Sequence, residues 1–256
     1  QPTRLHPFPA LRRKRSQPPV TPPTYETDPM RESQSAFSDA ANVAHYAEGP
    51  PRLVPGFSDL HRMTAILLAE RSPVAADVLV LGAGGGLEIE AFANLHPQWR
   101  FTGVDPSAPM LALAEQRLAA HAPRVRLQQG YIDDARDGPF DAATCLLTLH
   151  FLPVEQRRHT LAEVHRRLKP GAAFVVAHAS FAQDDIHRPR WLSRYAQYAV
   201  ASGMDPARAE TARTAVAAHL DVLDPAQDEA MLRAAGFGDV SLFYTGFAFR
   251  GWVAHA

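Results

Sequence analysis

Hydrophobic residues along this chain fall into short continuous runs separated by stretches with helical spacing. Val78-Leu79-Val80-Leu81 is one such run, suited to a strand buried on both faces. Phe101-Thr102-Gly103-Val104, Val125-Arg126-Leu127-Gln128 and the segments 140–147 and 172–177 read as four more strands. Between them, 86–95, 108–120 and 154–168 carry helical spacing, the last closed by Lys169-Pro170-Gly171. This alternation predicts the α/β class, a mostly parallel sheet with helices on both faces. Ahead of it, Ser58 or Asp59 caps a helix to about Arg71, with Leu60, Met63, Ile66 and Leu67 at helical spacing. Residues 38–46 read as a shorter helix, stopped by Pro50-Pro51. From about 184 to 223 the pattern holds two or three helices and no strand, which predicts a helical cap over the C-terminal edge of the sheet. A last helix at 226–235 precedes a hairpin, 240–244 and 247–253, turning across Thr245-Gly246.

Composition changes the picture mainly at the N-terminus. Residues 1–29 hold 8 of the 22 prolines and the run Arg12-Arg13-Lys14-Arg15. Nothing there is periodic, so residues 1–33 are expected to form a disordered, Pro-rich basic extension, with Met30 a candidate natural start. The domain proper is expected over 34–256, with the cap at about 184–223. A net charge of −1 over 256 residues disfavours nucleic acid as a partner. One cysteine, Cys145, excludes a disulfide within the chain and any multi-cysteine metal site. No apolar run approaches the roughly 18 residues that span a bilayer. No apolar signal core is seen, so the expected location is cytoplasmic.

The chemistry concentrates in Leu81-Gly82-Ala83-Gly84-Gly85-Gly86-Leu87-Glu88, where a strand runs into a glycine-rich turn and a helix. Glycines at 82, 84 and 86 permit positive φ and close approach of a ligand to the backbone. Exposed amides at the helix start favour a negative group. The dinucleotide fingerprint would need glycine at 87, where Leu87 stands, and no Gly-Lys-Ser/Thr of a phosphate loop follows. Asp105 closes the second strand 23 residues after Gly82. A carboxylate there can accept hydrogen bonds from both hydroxyls of an adenosine ribose. The pair predicts a nucleoside site.

With these motifs the sequence resembles the class I S-adenosylmethionine-dependent methyltransferases, over roughly residues 50–182 and the closing hairpin. The resemblance is carried by Gly82-x-Gly84-x-Gly86, Gly103-Val104-Asp105, Gly130, Phe140-Asp141-Ala142 and Leu168-Lys169-Pro170-Gly171. Within the superfamily it is similar to the carboxy-S-adenosylmethionine synthase branch of tRNA wobble-uridine modification. That likeness rests on Arg52-x-Val54-Pro55-Gly56, Leu147-Thr148-Leu149-His150-Phe151-Leu152, Ala235-Gly236-Phe237 and Phe247-x-Phe249-x-Gly251. The resemblance implies a Rossmann-like seven-stranded sheet with an antiparallel last strand, and S-adenosyl-L-methionine as cofactor. It implies that Gly82, Ala83 and Gly84 line the methionine part, Asp105 holds the ribose, and Pro106 and Met110 lie near the adenine. Tyr131 and Ile132 occupy the adenine-contacting position after the third strand, and Leu146 faces the cofactor from the fourth. Arg52 and Arg213 match arginines of the synthase branch.

Four departures weigh against the carboxylated cofactor or alter the site. Val80 and Tyr131 stand where many methyltransferases are acidic, leaving Asp133 or Asp134 as substitutes. Phe57 and Leu146 stand where the synthase branch has tyrosine and asparagine. Methyl transfer to a small-molecule acceptor is therefore the expected reaction, with a synthase-like enzyme and a non-catalytic cofactor-binding protein as alternatives.

Methyl transfer is an in-line displacement that needs a base only when the acceptor must lose a proton. His150, just past the fourth strand, is the candidate base; a histidine that caps the sheet edge or contacts substrate is the other reading. His45 and Tyr46, on the N-terminal helix that often covers the site in this fold, are packing or catalytic residues, with Tyr46 a candidate substrate contact, and His178 is placed similarly to His150. Arg52 suits a carboxylate partner or a surface ion pair, and Arg213 a substrate contact or a solvated helix face. Trp191, Tyr195 and Tyr198 form one helical stripe, either core, dimer contact or substrate wall. A homodimer is compatible with that stripe. No metal is expected, because no His-x-x-x-His pair is backed by nearby carboxylates.

Overall fold

The computed structural model describes residues 49–256. The expected extension at 1–33, the helix at 38–46 and with it His45 and Tyr46 lie outside the described residues. Seven strands form one sheet: β1 (Asp77–Leu81), β2 (Arg100–Asp105), β3 (Val125–Gln129), β4 (Phe140–Leu146), β5 (Leu168–Ala179), β6 (Gly238–Gly246) and β7 (Phe249–His255). Their order is β3-β2-β1-β4-β5-β7-β6. β1 to β5 are parallel, and β7 runs antiparallel to both β5 and β6.

The helices are α1 (Gly49–Leu53), α2 (Phe57–Ala69), α3 (Leu87–Leu95), α4 (Ala108–Arg117), α5 (Val154–Arg167), α6 (His187–Ala201), α7 (Pro206–His219) and α8 (Pro225–Ala234). Val78, Leu79 and Val80 of β1 are fully buried, each worth about 1.5–3 kcal/mol relative to exposure. Alternate residues of each strand feed two cores. Val78, Val80, Ala142 and Val175 pack with Leu60, Ile89 and Phe92. Leu79, Phe140, Phe174 and Trp252 pack with Leu161, Val164 and Leu232 on the other face. β2 lies to one side of β1 and β4 to the other, so the strand order reverses there. In an open α/β sheet the crevice outside the carboxyl ends of the strands at such a reversal, here β1 and β4, is the usual ligand position.

Several local expectations shift. Pro50-Pro51 sits in the first turn of α1, where a missing N–H breaks no hydrogen bond. The hairpin turns at Phe247-Ala248, two residues later than expected, with Phe247 at φ 47°. β6 therefore runs on through Thr245 and Gly246, which pair with Arg250 and Phe249. Short 3-10 turns at Ile132–Asp134 and Leu149–Phe151 escape a periodicity search because they are less than one repeat long. The stretch expected as a cap holds α6 and α7, which pack on each other, and α1 lies against α6. Side-chain caps explain several starts: Ser107 accepts the Met110 N–H for α4, Asp205 starts α7, and Asp224 and Gln227 form a capping box for α8.

Candidate functional site

The glycine loop lies across the end of β2 and is bonded to it. Gly82 and Ala83 both donate their N–H to the Val104 carbonyl, at 2.8 and 3.1 Å. Gly84 donates to Asp105 Oδ2 at 2.9 Å, and Gly86 donates to the Ala83 carbonyl. Four loop amides are thus spent inside the protein and are not open to a negative group, although the sequence suggested exposed amides here. The loop serves as a bare backbone floor. Gly82 has φ 78°, and a Cβ there would run into Thr148 from the turn after β4. Gly103 is the seat beneath the loop, since a Cβ there would meet those of Ala83 and the Leu127 side chain at 2.9 Å.

Asp105 is fixed from two directions. Oδ2 takes the Gly84 N–H, and Oδ1 takes the Ser107 N–H at 2.9 Å. Each carboxylate oxygen offers two lone-pair directions, so each keeps one for another donor. Burial raises its pKa, and the Ser107 and Gly84 hydrogen bonds oppose the rise. Gly130 donates to the Asp105 carbonyl at 3.1 Å, joining the turn after β3 to the same corner.

The adenine-side candidates gather around this corner. Met110 and Ile132 are buried, and Pro106 and Tyr131 are half-buried. Neither acidic substitute points freely into the crevice. Asp134 Oδ2 accepts the Tyr131 N–H at 2.8 Å, and Asp133 pairs with His159 at 2.8 Å. On the other flank, Leu146 is buried at the end of β4 and Leu147 is held at φ 58°. A leucine in the left-handed region stores strain of about 1–3 kcal/mol, a feature typical of sites. Phe57 opens α2, buried, with its ring 4.5 Å from that of His61. Arg52 lies half-buried on α1. Tyr244 ties this N-terminal region to the hairpin by donating its hydroxyl to the Pro55 carbonyl at 2.6 Å.

The remaining candidates divide. His150 is buried, with Nδ1 accepting the Ala179 N–H at 3.2 Å. Its pKa lies well below 6.5, chiefly from burial, with His178 and Arg157 adding. The imidazole is therefore neutral, with its proton on Nε2. Arg213 pairs with Glu210 on its own helix. In the aromatic stripe, Tyr195 is buried and packs near Phe249, Tyr198 meets Phe247 edge-on, and Trp191 lies beneath the guanidiniums of Arg194 and Arg250. Among the described residues no group of three His, Cys, Asp or Glu side chains could hold a metal.

Two residues at the site carry no sequence signal that singles them out. Glu88, in the first turn of α3, is buried, and its Oε1 accepts the Thr144 hydroxyl at 2.7 Å. Burial drives its pKa up to about 8; the Thr144 hydrogen bond opposes this and Asp105 adds to it. Arg157 is fully buried in α5. Its guanidinium donates to the Leu152 carbonyl at 2.9 Å, the His150 carbonyl at 3.4 Å and the Asp221 carbonyl, and lies 4.0 Å from Asp228. It fastens the turn after β4 to the segment returning from the cap.

Residues 78–171, from β1 into β5, match the family model of the methyltransferase domain. That stretch is similar to a methyltransferase domain. Over most of its length the chain is similar to carboxy-S-adenosyl-L-methionine synthases. The Chromohalobacter salexigens enzyme is 29% identical over 222 residues, 84% of this chain and 82% of that protein. The Actinobacillus succinogenes enzyme is 29% identical over 227 residues, 85% and 92%. Solved methyltransferases share the fold. Human N-acetylserotonin methyltransferase, solved with S-adenosylmethionine, is 14% identical with a TM-score of 0.57, covering 87% of this chain and 58% of its own. An O-methyltransferase family protein from Burkholderia thailandensis is 19% identical with a TM-score of 0.55, covering 86% and 63%. No helix among the described residues of this methyltransferase-fold chain is long and apolar enough to cross a membrane.

Proposed function

We propose that this protein binds S-adenosyl-L-methionine at the crevice beside β1 and β4 and transfers its methyl group to a small-molecule acceptor. The observation that carries this is the glycine floor bonded to a carboxylate that keeps two acceptor directions open. The cofactor, when bound, supplies a methyl activated on a sulfonium. The chain supplies position and a dry surround. Gly82, Ala83 and Gly84 would carry the methionine part, and Asp105 would accept the ribose hydroxyls. Pro106, Met110 and Ile132 would form the apolar slot for adenine, with Tyr131 at its rim. Arg52, Phe57 and Leu146 would close the methionine end. In-line displacement gains chiefly from such alignment, worth up to roughly 7–11 kcal/mol in favourable cases.

His150 suits a positioning role better than that of a base, since the lone pair on Nδ1 is already engaged by Ala179. An acceptor that arrives without a proton to lose needs no protein base. The acceptor side falls to the cap, with Arg213 a candidate contact. The near-neutral charge supports a small molecule over nucleic acid, and a cytoplasmic setting fits that chemistry.

A second reading, a carboxy-S-adenosylmethionine synthase-like enzyme, is favoured by the relatives bearing that name. Buried, apolar Phe57 and Leu146 and the internal Arg213–Glu210 pair favour methyl transfer instead. Mass spectrometry of the ligand retained on purification separates the two. Unmodified cofactor or its thioether product supports methyl transfer, and a carboxylated cofactor supports the synthase.

A further inference from the structure

Glu88 presents a physical problem that the site alone does not explain. It is 6% exposed, and Oε1 is held by Thr144 of β4, the residue opposite Val80 in the β1–β4 register. No basic side chain among the described residues forms an ion pair with it. The charged and titratable groups around it give no compensation. From β2 comes Asp105, another carboxyl. From β4 comes the Cys145 thiol, held protonated by burial. From α2 comes His61, which packs on Phe92 of α3 and is neutral, its pKa lowered to about 4 by burial. Arg117 of α4 is taken up by the Gly85 carbonyl and Glu90, at 3.0 and 3.1 Å. A buried carboxyl without a cation takes up a proton, and a cation arriving beside it drives the proton off.

The glycine floor directly precedes Glu88, four residues after Gly84. The ligand that the proposed function places on that floor, on which this inference rests, carries a sulfonium charge before transfer and none after. We propose that Glu88 reads that charge: it releases its proton to solvent when the sulfonium form binds and retains it when the thioether binds. The ion pair formed with the first ligand is lost with the second, so the site holds substrate cofactor more tightly than product. Glu88 is thereby a specificity-determining residue.

The test is calorimetric titration of the full chain at about pH 7 with S-adenosylmethionine and, separately, S-adenosylhomocysteine. Running each in two buffers of different ionisation enthalpy counts the protons released. The wild type is expected to release more protons with the sulfonium ligand than with the thioether. Its preference for the sulfonium should rise several-fold between about pH 6.5 and about pH 8.5. In Glu88→Gln, which keeps an acceptor for Thr144, thioether affinity should persist. The Glu88-dependent proton release and the pH-dependent preference should be lost, which separates Glu88 from the ligand's own amine. Equal release for the two ligands in the wild type overturns the proposal, even if the variant does not fold. So does a difference that survives Glu88→Gln. Failure of both ligands to bind the wild type overturns the cofactor reading instead.

Discussion

Asp105 Oδ2 accepts the Gly84 N–H at 2.9 Å, so the carboxylate and the glycine loop form one rigid corner. Two signals 21 residues apart in the chain become a single device: the acid orders the loop, and the loop aims the acid. Loss of either should be felt at both.

Asp105→Ala should therefore weaken binding of both S-adenosylmethionine and S-adenosylhomocysteine by roughly 1–3 kcal/mol, the range for hydrogen bonds to a charged group. Asp105→Asn, which keeps one oxygen, should fall between. Calorimetric Kd values for the three proteins check this, and an unchanged Kd in the alanine variant contradicts it.

Gly82→Ala should be costly for two separate reasons. The backbone sits at φ 78°, and the new Cβ would strike Thr148. A loss of about 1–3 kcal/mol in stability is expected, with a larger proportional loss of cofactor affinity because the floor itself moves. Adding Thr148→Ala should recover part of the stability by relieving the clash, leaving the φ strain in place. Urea midpoints of the single and double variants measure the split.

Arg157 is the residue whose removal should damage the fold most. Arg157→Met would strip hydrogen-bond donors from the Leu152, His150 and Asp221 carbonyls and leave Asp228, 3% exposed, with less compensation. Breaking a buried pair from one side costs about 3–5 kcal/mol. Adding Asp228→Asn should restore part of it, which a double-mutant cycle would show as coupling. Additive losses would mean the two side chains act independently.

Acid should destabilise the protein through its buried histidines. Burial lowers the His61 pKa from 6.5 to about 4, so between those values the unfolded chain binds the proton and the folded one does not. Stability is full above about pH 6.5 and falls as pH drops towards 4, by roughly 3 kcal/mol at most for this group. His150 is shifted the same way. His61→Phe should flatten the decline across that window without abolishing it. Urea unfolding at a series of pH values would reveal the difference, and parallel curves for the two proteins would contradict it.

The strands, the loop and Asp105 were legible because each is written locally: an apolar run, a cluster of glycines, an acid at a strand end. The alternation of strands and helices announces a parallel sheet, but the reversed order around β1 is set by which strands meet in space. What the sequence hid is made by residues distant in the chain. Glu88 reads as an ordinary acid in the first turn of a helix, and only its meeting with Thr144, 56 positions later, reveals a buried carboxyl. Arg157 carries no local signal, and only the packing of α5 beneath the cap return makes it a buried tie. The loop amides looked available because nothing in the local pattern says that Val104 and Asp105 consume them. Asp134 looked like a substitute acid, yet its carboxylate closes its own turn on Tyr131.

The most direct test of the central claim is titration of the purified protein with S-adenosylmethionine and S-adenosylhomocysteine, after mass spectrometry of any ligand carried through purification. Binding of both, saturable and weakened by Asp105→Ala, is the predicted result. Absence of binding by either, with no adenosyl ligand retained, would contradict it.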